Sequence, residues 1–402
     1  MISDELIAAL PKTDLHVHLD GSLRESTLID LAKSGGVVLP SQTPEGLNQL
    51  VFKDTYANLN EYLQGFAYTT AVLQDPESLA RAAYELALDN ISEGVRYIEV
   101  RFAPHLHMHA GMNFDDVLRA VDSGLSKATS EHERSPAVKE GGEPPFRYGI
   151  IVCALRMFQK DTSQWYRQLL SLFPHAPRNS VYSMASLELA RSAVGCRDKH
   201  GLPIVGFDLA GQEDGYPAIH HGPAYDFAHR NFLKKTVHAG EAYGPESIFQ
   251  AITRLNADRI GHGYFLFSPE RCGPDIRDPE DYVRRLCAYI SDRRITIEVC
   301  ITSNLQTNPS IKSVDNHVFG RMLDNRISAT LCTDNRLISH TTVSAEIRRA
   351  ITAFSMDESQ LRDTVIYGFK RSFFPGEYTD KRRYVRNIIN YYDRVMAELG
   401  SS

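Results

Sequence analysis

The chain has 402 residues and a formal net charge of −6, and 43% of its residues are hydrophobic. This is enough apolar material for a large core, and the mild acidity gives no reason to expect nucleic acid or an anionic membrane as a partner. No apolar run approaches the roughly 20 residues that span a bilayer. Residues 1–11 lack the features of a signal peptide, and the six cysteines form no Cys-x-x-Cys pair. These features predict a cytoplasmic protein with free thiols.

Apolar, β-branched segments recur along the chain, separated by longer amphipathic stretches. We predict eight strands, at residues 14–19, 97–103, 148–155, 204–210, 236–239, 259–261, 295–301 and 329–333. Helical patterns lie between most of them, at residues 79–93, 115–128, 182–200 and 280–293. This alternation implies parallel pairing with right-handed crossovers. We therefore predict an α/β fold, a (β/α)8 TIM barrel that forms a single domain over residues 1–402. An open doubly wound sheet is the alternative, but no Gly-x-Gly-x-x-Gly follows the first strand.

Three segments add to the simple alternation. Residues 20–95 are too long for one crossover and contain helical patterns at 24–33 and 56–73, which predicts a helical insertion after strand one. Residues 130–146 are polar and rich in turn formers, which predicts an exposed, mobile loop. Residues 381–399 predict an extra helix that closes the barrel at the C-terminus.

Two histidines lie in the first predicted strand. Residues i and i+2 of a strand point to the same face, so His16 and His18 project together into the interior of a small barrel. Neutral imidazole is a good zinc ligand, so a pair converging in a confined space suits a metal ion. A single His-x-His is nevertheless more often incidental than ligating.

Two further ligand candidates end other strands. His238 ends the fifth strand and Asp334 the eighth, and barrel enzymes place their chemistry at these carboxyl ends. Alone, His238 is typical of a core residue and Asp334 of a turn or helix cap. Together with the two histidines of strand one they match the ligand preferences of Zn²⁺. A second metal would need a bridging ligand, usually a modified lysine at the end of strand four. No lysine lies between Gly201 and Tyr216, so we predict one metal ion.

Two more residues predict acid–base chemistry at the same end of the barrel. Glu241 follows His238 by three residues, where partial desolvation would raise its pKa and let it donate as well as accept protons. A first-turn helix glutamate is the equally weighted alternative. His262 lies between two glycines at the end of strand six, as either a partner for an attacking water or a turn histidine. Ser303 and Asn304 follow strand seven.

Four segments carry a family resemblance. They read His-Val-His-Leu-Asp-Gly-Ser at 16–22, Asp-Leu-Ala-Gly at 208–211, His-Ala-Gly-Glu at 238–241 and Arg-Ile-Gly-His-Gly at 259–263. In this order they strongly resemble the adenosine deaminase family of the amidohydrolase superfamily. The resemblance implies a zinc-dependent enzyme that hydrolyses adenosine and 2′-deoxyadenosine to inosine and 2′-deoxyinosine plus ammonia, in purine salvage.

The resemblance also implies a role for each matched residue. The ligands of one Zn²⁺ per subunit would be His16, His18, His238 and Asp334. A water molecule activated at the metal would attack C6 of the purine, with Asp334 and His262 deprotonating and orienting it. Glu241 would protonate N1, and ammonia would leave.

Substrate-binding positions follow from the same resemblance. Gly211 would donate its backbone N–H to N3, Asp20 would accept from the ribose 5′-hydroxyl, and His18 would contact the substrate as well as the metal. A hydrophobic lid would comprise Leu59, Tyr62, Leu63 and Phe66. These four fall at helical spacing, and an amphipathic helix packed on the barrel would show the same stripe.

One position departs from the family pattern. The family commonly has a second aspartate after strand eight, in contact with N7, and this chain has Asn335 there. N7 is an acceptor, so an aspartate must be protonated to donate to it, whereas an asparagine amide donates at any pH. Catalysis should therefore survive, with purine recognition open to retuning.

Several alternatives remain for the substrate and the activity. The carboxylate of Asp20 would repel a 5′-phosphate, which disfavours adenosine monophosphate. A 5′-modified nucleoside such as aminodeoxyfutalosine or methylthioadenosine is the nearest rival, followed by free adenine. Other classes are another mononuclear amidohydrolase acting on amides or lactams, and a catalytically inactive binding protein. Glu241 with Gly211 favours a purine over the first, and the complete set of catalytic positions disfavours the second. The sequence indicates no oligomeric state.

Overall fold

Eight parallel strands form a nearly closed barrel in the computed structural model, which describes residues 2–400. The strands are β1 Lys12–His18, β2 Val95–Phe102, β3 Arg147–Leu155, β4 Ile204–Ala210, β5 Lys234–Ala239, β6 Arg259–His262, β7 Thr296–Val299 and β8 Ala329–Leu331. Each strand pairs with the next. Beyond β8, the Asp334 N–H donates to His16 O and the His18 N–H donates to Asp334 O, both at 2.8 Å, which joins the last strand to the first. The predicted barrel is confirmed. The single domain over 1–402 stays a prediction, and Met1, Ser401 and Ser402 lie outside the described residues.

Helices surround the strands. The α-helices are α1 Asp4–Ala9, α2 Glu25–Gly35, α3 Pro44–Leu50, α4 Leu59–Leu63, α5 Phe66–Val72, α6 Pro76–Ser92, α7 Phe114–Glu133, α8 Pro136–Lys139, α9 Gln164–Leu172, α10 Arg178–His200, α11 Gly222–Arg230, α12 Pro245–Arg254, α13 Pro279–Arg293, α14 Ile301–Thr307, α15 Phe319–Asp324, α16 Val343–Phe354, α17 Glu358–Arg371 and α18 Tyr378–Leu399. Short 3-10 helices lie at Pro104–Leu106, Ala218–His221, Tyr264–Phe267, Pro269–Arg271 and Val314–Asn316. No helix among residues 2–400 is both long and apolar enough to cross a membrane.

The strands are buried on both faces, which explains why they appear in the sequence as continuous apolar runs. The barrel interior nevertheless contains a chain of paired charges. Arg101 on β2 donates to Asp208 on β4 at 2.7 Å and to Glu298 on β7 at 2.8 Å. Arg259 on β6 donates to the same Glu298 at 2.7 Å and pairs with Glu99 on β2. All five side chains are buried, and their mutual pairing offsets the cost of removing the charges from water.

The helical insertion after strand one is confirmed, because α2 to α5 lie between β1 and α6. The prediction of one helical pattern over 56–73 is wrong, since the segment divides into α4 and α5. Between them the hydrogen bonds tighten to i→i+3 spacing: Gln64 N–H donates to Glu61 O at 3.1 Å, and Ala67 N–H to Gln64 O at 3.2 Å. A short stretch of this type interrupts an α-helix without changing its apolar spacing, so the sequence pattern does not reveal it.

Three predicted boundaries also need correction. Residues 130–146 are not a loop throughout, because α7 runs to Glu133 and α8 follows. Ser135 caps α8, and Pro136 occupies its first position, which is a helix-start signature. Strand seven is shorter than the predicted 295–301, since Ile301 already begins α14. The closing helix, α18, is confirmed and begins at Tyr378, three residues earlier than predicted.

Candidate metal centre and active site

Three histidines and one aspartate meet at the carboxyl ends of β1, β5 and β8, as predicted. The ligand atoms of His16, His18, His238 and Asp334 all lie within 4.8 Å of one another, and the four residues are buried. His18 Nε2 is 3.3 Å from His238 Nε2. Asp334 Oδ1 is 3.4 Å from His16 Nε2 and 3.5 Å from His18 Nε2. Ligands about 2.0–2.1 Å from a tetrahedral zinc are about 3.3–3.4 Å apart, so the spacing fits one such ion.

Three of the four residues, His16, His238 and Asp334, are held on their outer side by a hydrogen-bond partner. His16 Nδ1 is 2.8 Å from Glu298 Oε2, and His238 Nδ1 is 3.1 Å from Asp208 Oδ2. Both rings therefore direct Nε2 to the centre, and His16 Nε2 has no hydrogen-bond partner within residues 2–400. Ser303 Oγ donates to Asp334 Oδ2 at 2.7 Å, which leaves Oδ1 facing the histidines. Such outer contacts orient metal ligands.

The local environment favours the neutral form of two of the three histidines, whereas the carboxylates of Asp334 and Glu298 raise the pKa of His16 despite its burial. Burial lowers the pKa of His18 well below its usual value, and the adjacent His238 and His16 lower it further. Burial likewise lowers the pKa of His238. Burial alone would raise the pKa of Glu298, but Arg101 and Arg259 hold that pKa well below its usual range. The carboxylate that supports His16 therefore stays ionised.

Glu298 and the arginines around it were not predicted. The signal that could have revealed Glu298 is its position within the apolar run Ile297 to Ile301, because a carboxylate in a buried strand needs a buried partner.

Glu241 lies in a tight turn after β5, and a second glutamate organises that turn. Glu213 is buried, and its carboxylate accepts five hydrogen bonds: from the backbone N–H groups of Gly240, Glu241, Ala242 and Tyr243 and from the Ser247 hydroxyl. Glu213 was not predicted, because the polar run 212–214 is typical of an exposed turn. The burial of Glu213 arises from a contact with residues almost thirty positions later.

The side chain of Glu241 sits in a site that favours its protonated form. Burial raises the pKa of Glu241 to about 8, and the charges of Asp334 and Glu213 add to the rise. Its Oε1 lies 3.7 Å from His262 Nε2. A glutamic acid with this pKa is still protonated at neutral pH and can act as a proton donor.

A chain of hydrogen bonds sets the tautomer of His262. The Phe319 N–H donates to His317 Nδ1 at 3.1 Å, so the proton of His317 lies on Nε2. That nitrogen donates to Asn304 Oδ1 at 3.2 Å, and the Asn304 amide nitrogen then donates to His262 Nδ1 at 3.1 Å. Burial lowers the pKa of His262 well below its usual value. The ring is therefore neutral and presents an Nε2–H donor to the site.

Two of the predicted substrate-binding residues, Asp20 and Gly211, lie just beyond the carboxyl ends of β1 and β4, at the same end of the barrel as the cluster. Asp20 is buried, its Oδ1 has no hydrogen-bond partner within residues 2–400, and burial raises its pKa to about 7. Gly211 directly follows β4 with a left-handed φ of 92°, a conformation that glycine adopts without strain. The roles given to Asp20, Gly211 and the metal ligands stay predictions.

The predicted lid residues occupy two environments. Phe66 is half-buried with its ring centroid 6.3 Å from that of His18, and Leu59 and Leu63 are also half-buried. Tyr62 is instead fully buried, and its hydroxyl lies 2.9 Å from Ser339 Oγ. It therefore anchors α4 to the segment after β8.

A cavity of about 370 Å³ opens beside Glu241 and is lined in part by Leu59, Phe265 and Arg271. The Arg271 guanidinium lies over the Phe265 ring at 3.6 Å and donates to Ala242 O at 2.9 Å. Neither Phe265 nor Arg271 was predicted, and neither belongs to a recognisable motif. The cavity gives the turn that carries Glu241 an access to solvent.

Asn335 directly follows Asp334 and forms one hydrogen bond with Tyr62. Its amide donates one N–H to the Tyr62 hydroxyl at 2.8 Å, while its Oδ1 is buried without a partner in the described chain. A Cβ at Gly21 would meet this Oδ1 at 1.8 Å, so a glycine is required at position 21. The second N–H of the amide stays available to a substrate acceptor.

Asn335→Asp is expected to retain activity but to lose it progressively as pH rises. A buried aspartate close to Asp334 has a raised pKa and donates to an acceptor only while protonated, whereas the asparagine amide donates at every pH. The check is kcat/KM measured across pH for both proteins. Identical profiles would show that residue 335 does not contact the purine.

The fold and the site together define a class: the chain is a (β/α)8 barrel with a buried cluster of three histidines and one aspartate, a candidate metal site, at the carboxyl ends of its strands. A family model described as Adenosine deaminase matches residues 11–391. Adenosine deaminases of Mycobacterium marinum and Mycobacterium leprae are 35% and 36% identical to the chain over 371 and 376 residues, with 92% of each chain covered. The chain belongs to the adenosine deaminase family, and it is a hydrolase that acts on the amine of a purine.

Solved structures agree on the fold. The ADAL–IMP complex aligns with a TM-score of 0.74 at 24% identity, covering 98% of this chain and 100% of that one. Arabidopsis ADAL complexed with IMP aligns at 0.73 and 25% identity, covering 97% and 99%. An amidohydrolase from Burkholderia ambifaria with bound Zn aligns at 0.76 and 18% identity, covering 99% and 95%.

Proposed function

We propose that this chain deaminates adenosine and 2′-deoxyadenosine hydrolytically, giving inosine or 2′-deoxyinosine and ammonia, in purine salvage with one Zn²⁺ per subunit. The observation that carries the proposal is the approach of the buried Glu241 to His262, at 3.7 Å, beside the four-residue cluster, in surroundings that raise the pKa of Glu241 and lower that of His262. Glu241 donates a proton to the purine ring, and His262 orients the attacking oxygen.

The metal assignment is supported by the donor set. His16, His18 and His238 offer imidazole nitrogens and Asp334 a carboxylate oxygen, which is a zinc-type combination. His16 Nε2 is buried and has no hydrogen-bond partner among residues 2–400, as expected of an atom that binds a metal. When bound, Zn²⁺ supplies a positive charge that lowers the pKa of a water molecule to about 7.

The residues around the centre divide the proton transfers. Asp334 stays ionised, because the adjacent His16 holds the pKa of this carboxyl well below its usual range despite its burial, so it accepts the proton of the attacking water. His262 donates a hydrogen bond from Nε2 and orients the oxygen towards C6. Glu241 protonates N1, which removes the aromatic resistance to addition at C6. The proton held by Asp334 then passes to the exocyclic nitrogen, the C6–N bond breaks and ammonia leaves, while the C6 hydroxyl becomes the carbonyl and returns its proton to Glu241.

The nucleoside is oriented by three groups. Gly211 donates its backbone N–H to N3, the free N–H of Asn335 donates to N7, and Asp20 accepts from the ribose 5′-hydroxyl. Asp20 also bears on the rival substrates. Structural relatives of this chain include an N6-methyl-AMP deaminase from Arabidopsis thaliana and complexes with IMP and GMP. Within residues 2–400 Asp20 has no cationic partner, so a 5′-phosphate here would face an uncompensated carboxyl group. This favours a nucleoside over a nucleotide.

The test is the loss of the adenosine absorbance band, followed in parallel with adenosine, deoxyadenosine, adenine, AMP and a 5′-modified nucleoside. Turnover restricted to the first two supports the proposal. A preference for the 5′-modified compound or AMP would retain the chemistry and refute the proposed substrate. No turnover of any of the five by metal-loaded protein would refute the deaminase itself.

His16→Ala is expected to abolish stable metal binding. The variant removes one of four ligands and leaves the Glu298 carboxylate without its histidine partner, so bound zinc after dialysis should fall to near zero. His175→Ala, at an exposed histidine far from the cluster in sequence, is the control and should retain the metal. Equal zinc content in the two variants would remove His16 from the ligand set.

The remaining predictions concern partners and location. A cytoplasmic location and the lack of nucleic-acid or membrane partners rest on the sequence and stay predictions. No oligomeric state is proposed.

A further inference from the structure

A groove of about 850 Å³ opens at the opposite end of the barrel from the metal ligands. Ile204 and Lys234, the first residues of β4 and β5, line one wall. The segment 372–376 after α17 and the side of α18 line another wall, and Arg197, Phe232 and Lys370 are also part of the lining. Small-molecule sites commonly measure about 300–1,000 Å³, so the groove can hold a ligand of nucleotide size.

The groove concentrates positive charge on a chain that is negative overall. Its lining contains no carboxylate and six basic side chains: Arg197, Lys234, Lys370, Lys381, Arg382 and Arg386. Two of them have acidic neighbours, since Arg197 pairs with Asp198 at 2.8 Å and Lys234 lies 3.9 Å from Asp258. The other four form no ion pair with any residue in the range 2–400.

Lys381 is one of the four groove cations that form no ion pair within residues 2–400. Its ammonium donates to Ser372 O at 2.6 Å and lacks a carboxylate partner in the described chain. Burial lowers the pKa of Lys381 to about 8, and the cations of Arg259 and Lys234 oppose the effect of the Glu99 carboxylate, which raises it. A bound anion would supply the missing counter-charge.

Aromatic rings stand at the edge of the same groove. Phe232 is 91% exposed and Tyr378 is 71% exposed. Phe232 follows the end of α11 with a φ of 61°, a left-handed conformation that bulky residues rarely adopt and that glycine usually fills after a helix. A phenylalanine that is both strained and solvated contributes little to folding, and its flat face is suited to stacking on an aromatic ring.

We propose that this groove binds a nucleoside polyphosphate, with the phosphates on the unpaired cations and the base against Phe232 or Tyr378. A second copy of this chain is an unfavourable occupant of the groove, because a two-fold interface would bring two sets of cations together. A long nucleic acid fits poorly as well, because its phosphates beyond the groove would meet a chain of net charge −6. A compact anion with an aromatic base satisfies both the charge and the rings.

The test is calorimetric titration of the full-length chain with UTP and with inorganic triphosphate. UTP is chosen because uracil carries no amine for the proposed deaminase, so binding is measured without turnover. Arg386→Glu should weaken both ligands about tenfold or more, and the double variant with Arg382→Glu should weaken them further, because each change replaces an attraction with a repulsion. Arg383→Glu is the matched control: it lies on the same helix, pairs with Asp380 and does not line the groove.

The Phe232→Gly variant distinguishes binding of the base from binding of the phosphates. It relieves the left-handed φ, so the variant should fold at least as well as the wild type, and it should weaken UTP by about tenfold while leaving triphosphate unchanged. Bound metal is measured in every sample, because triphosphate can chelate metal ions.

Three results would overturn the assignment. The first is no binding of UTP or triphosphate at millimolar concentration, and the second is equal affinity in the Arg386→Glu and Arg383→Glu variants. The third is a single-stranded oligonucleotide that binds more tightly than UTP and is weakened by Arg386→Glu, which would assign the groove to nucleic acid. None of these results depends on the deaminase activity, so the proposed function and this site can fail separately.

Discussion

Glu241→Gln is expected to lower kcat by about 10²–10⁴-fold while bound metal stays at the wild-type level. The amide has nearly the shape of the acid and can still donate a hydrogen bond to N1. It cannot transfer a proton, so N1 stays unprotonated and C6 remains resistant to addition. The backbone N–H of residue 241 keeps its bond to Glu213, so the turn should hold its conformation.

Steady-state kinetics with metal analysis of the same samples checks this expectation. Glu246→Gln is the matched control, since Glu246 lies five residues on, accepts a hydrogen bond from the Gly273 N–H, and would keep an acceptor oxygen as glutamine. A Glu241→Gln enzyme with wild-type kcat would show that the proton reaches the purine by another route.

The pH dependence gives an independent measure of the same group. Glu241 donates only when protonated, and its pKa is raised to about 8 by burial and by the charges of Asp334 and Glu213. The rate should therefore fall as pH rises through about 8, and the fall should be absent from the residual activity of Glu241→Gln. An alkaline limb that persists in the variant would belong to a different group.

Glu213→Ala is expected to combine a loss of activity with a loss of stability. The substitution deprives four backbone N–H groups and the Ser247 hydroxyl of their common acceptor. The free energy of unfolding should fall by on the order of 3 kcal/mol, because buried donors are costly to leave unpaired. The turn would then hold Glu241 less accurately, and misplacement of about 1 Å can cost on the order of 10²-fold in rate.

Glu213→Gln distinguishes positioning from simple structural support. The amide keeps one acceptor oxygen and removes the negative charge that helps to raise the pKa of Glu241. Activity should be intermediate, and the alkaline limb should move to lower pH with metal content unchanged. A stability loss without any shift of the pH profile would mean that Glu213 supports the turn but does not tune Glu241.

The cluster of three histidines and one aspartate was predictable, because each residue follows from local pattern and strand position. His16 and His18 alternate within one strand, and His238 and Asp334 end two others, so the barrel itself brings them together. The sequence places Ser303 and Asn304 after strand seven but predicts no role for them. The structure supplies one, since Ser303 donates to Asp334 and Asn304 to His262.

The groups that orient the ligands were less predictable, because their importance depends on burial created by distant segments. Glu213 belongs to a polar turn, and only contact with the residues after β5 buries it. The division between α4 and α5 was missed for a related reason, since a change of hydrogen-bond spacing over a few residues leaves the apolar periodicity unaltered.

Asp334 joins the ends of the sheet through its backbone and faces the candidate metal centre with its side chain. Its backbone N–H and C=O bond to both sides of β1 and join the ends of the sheet, while its side chain faces the three histidines. The strand that leads to it, β8, has only three residues, so this seam has few other bonds to hold it. An ion that binds only the folded chain stabilises that chain by mass action. The ion proposed here would bind Asp334, so we expect part of this gain to fall on the joint between β8 and β1, which would couple metal supply to the stability of the folded enzyme through a single residue.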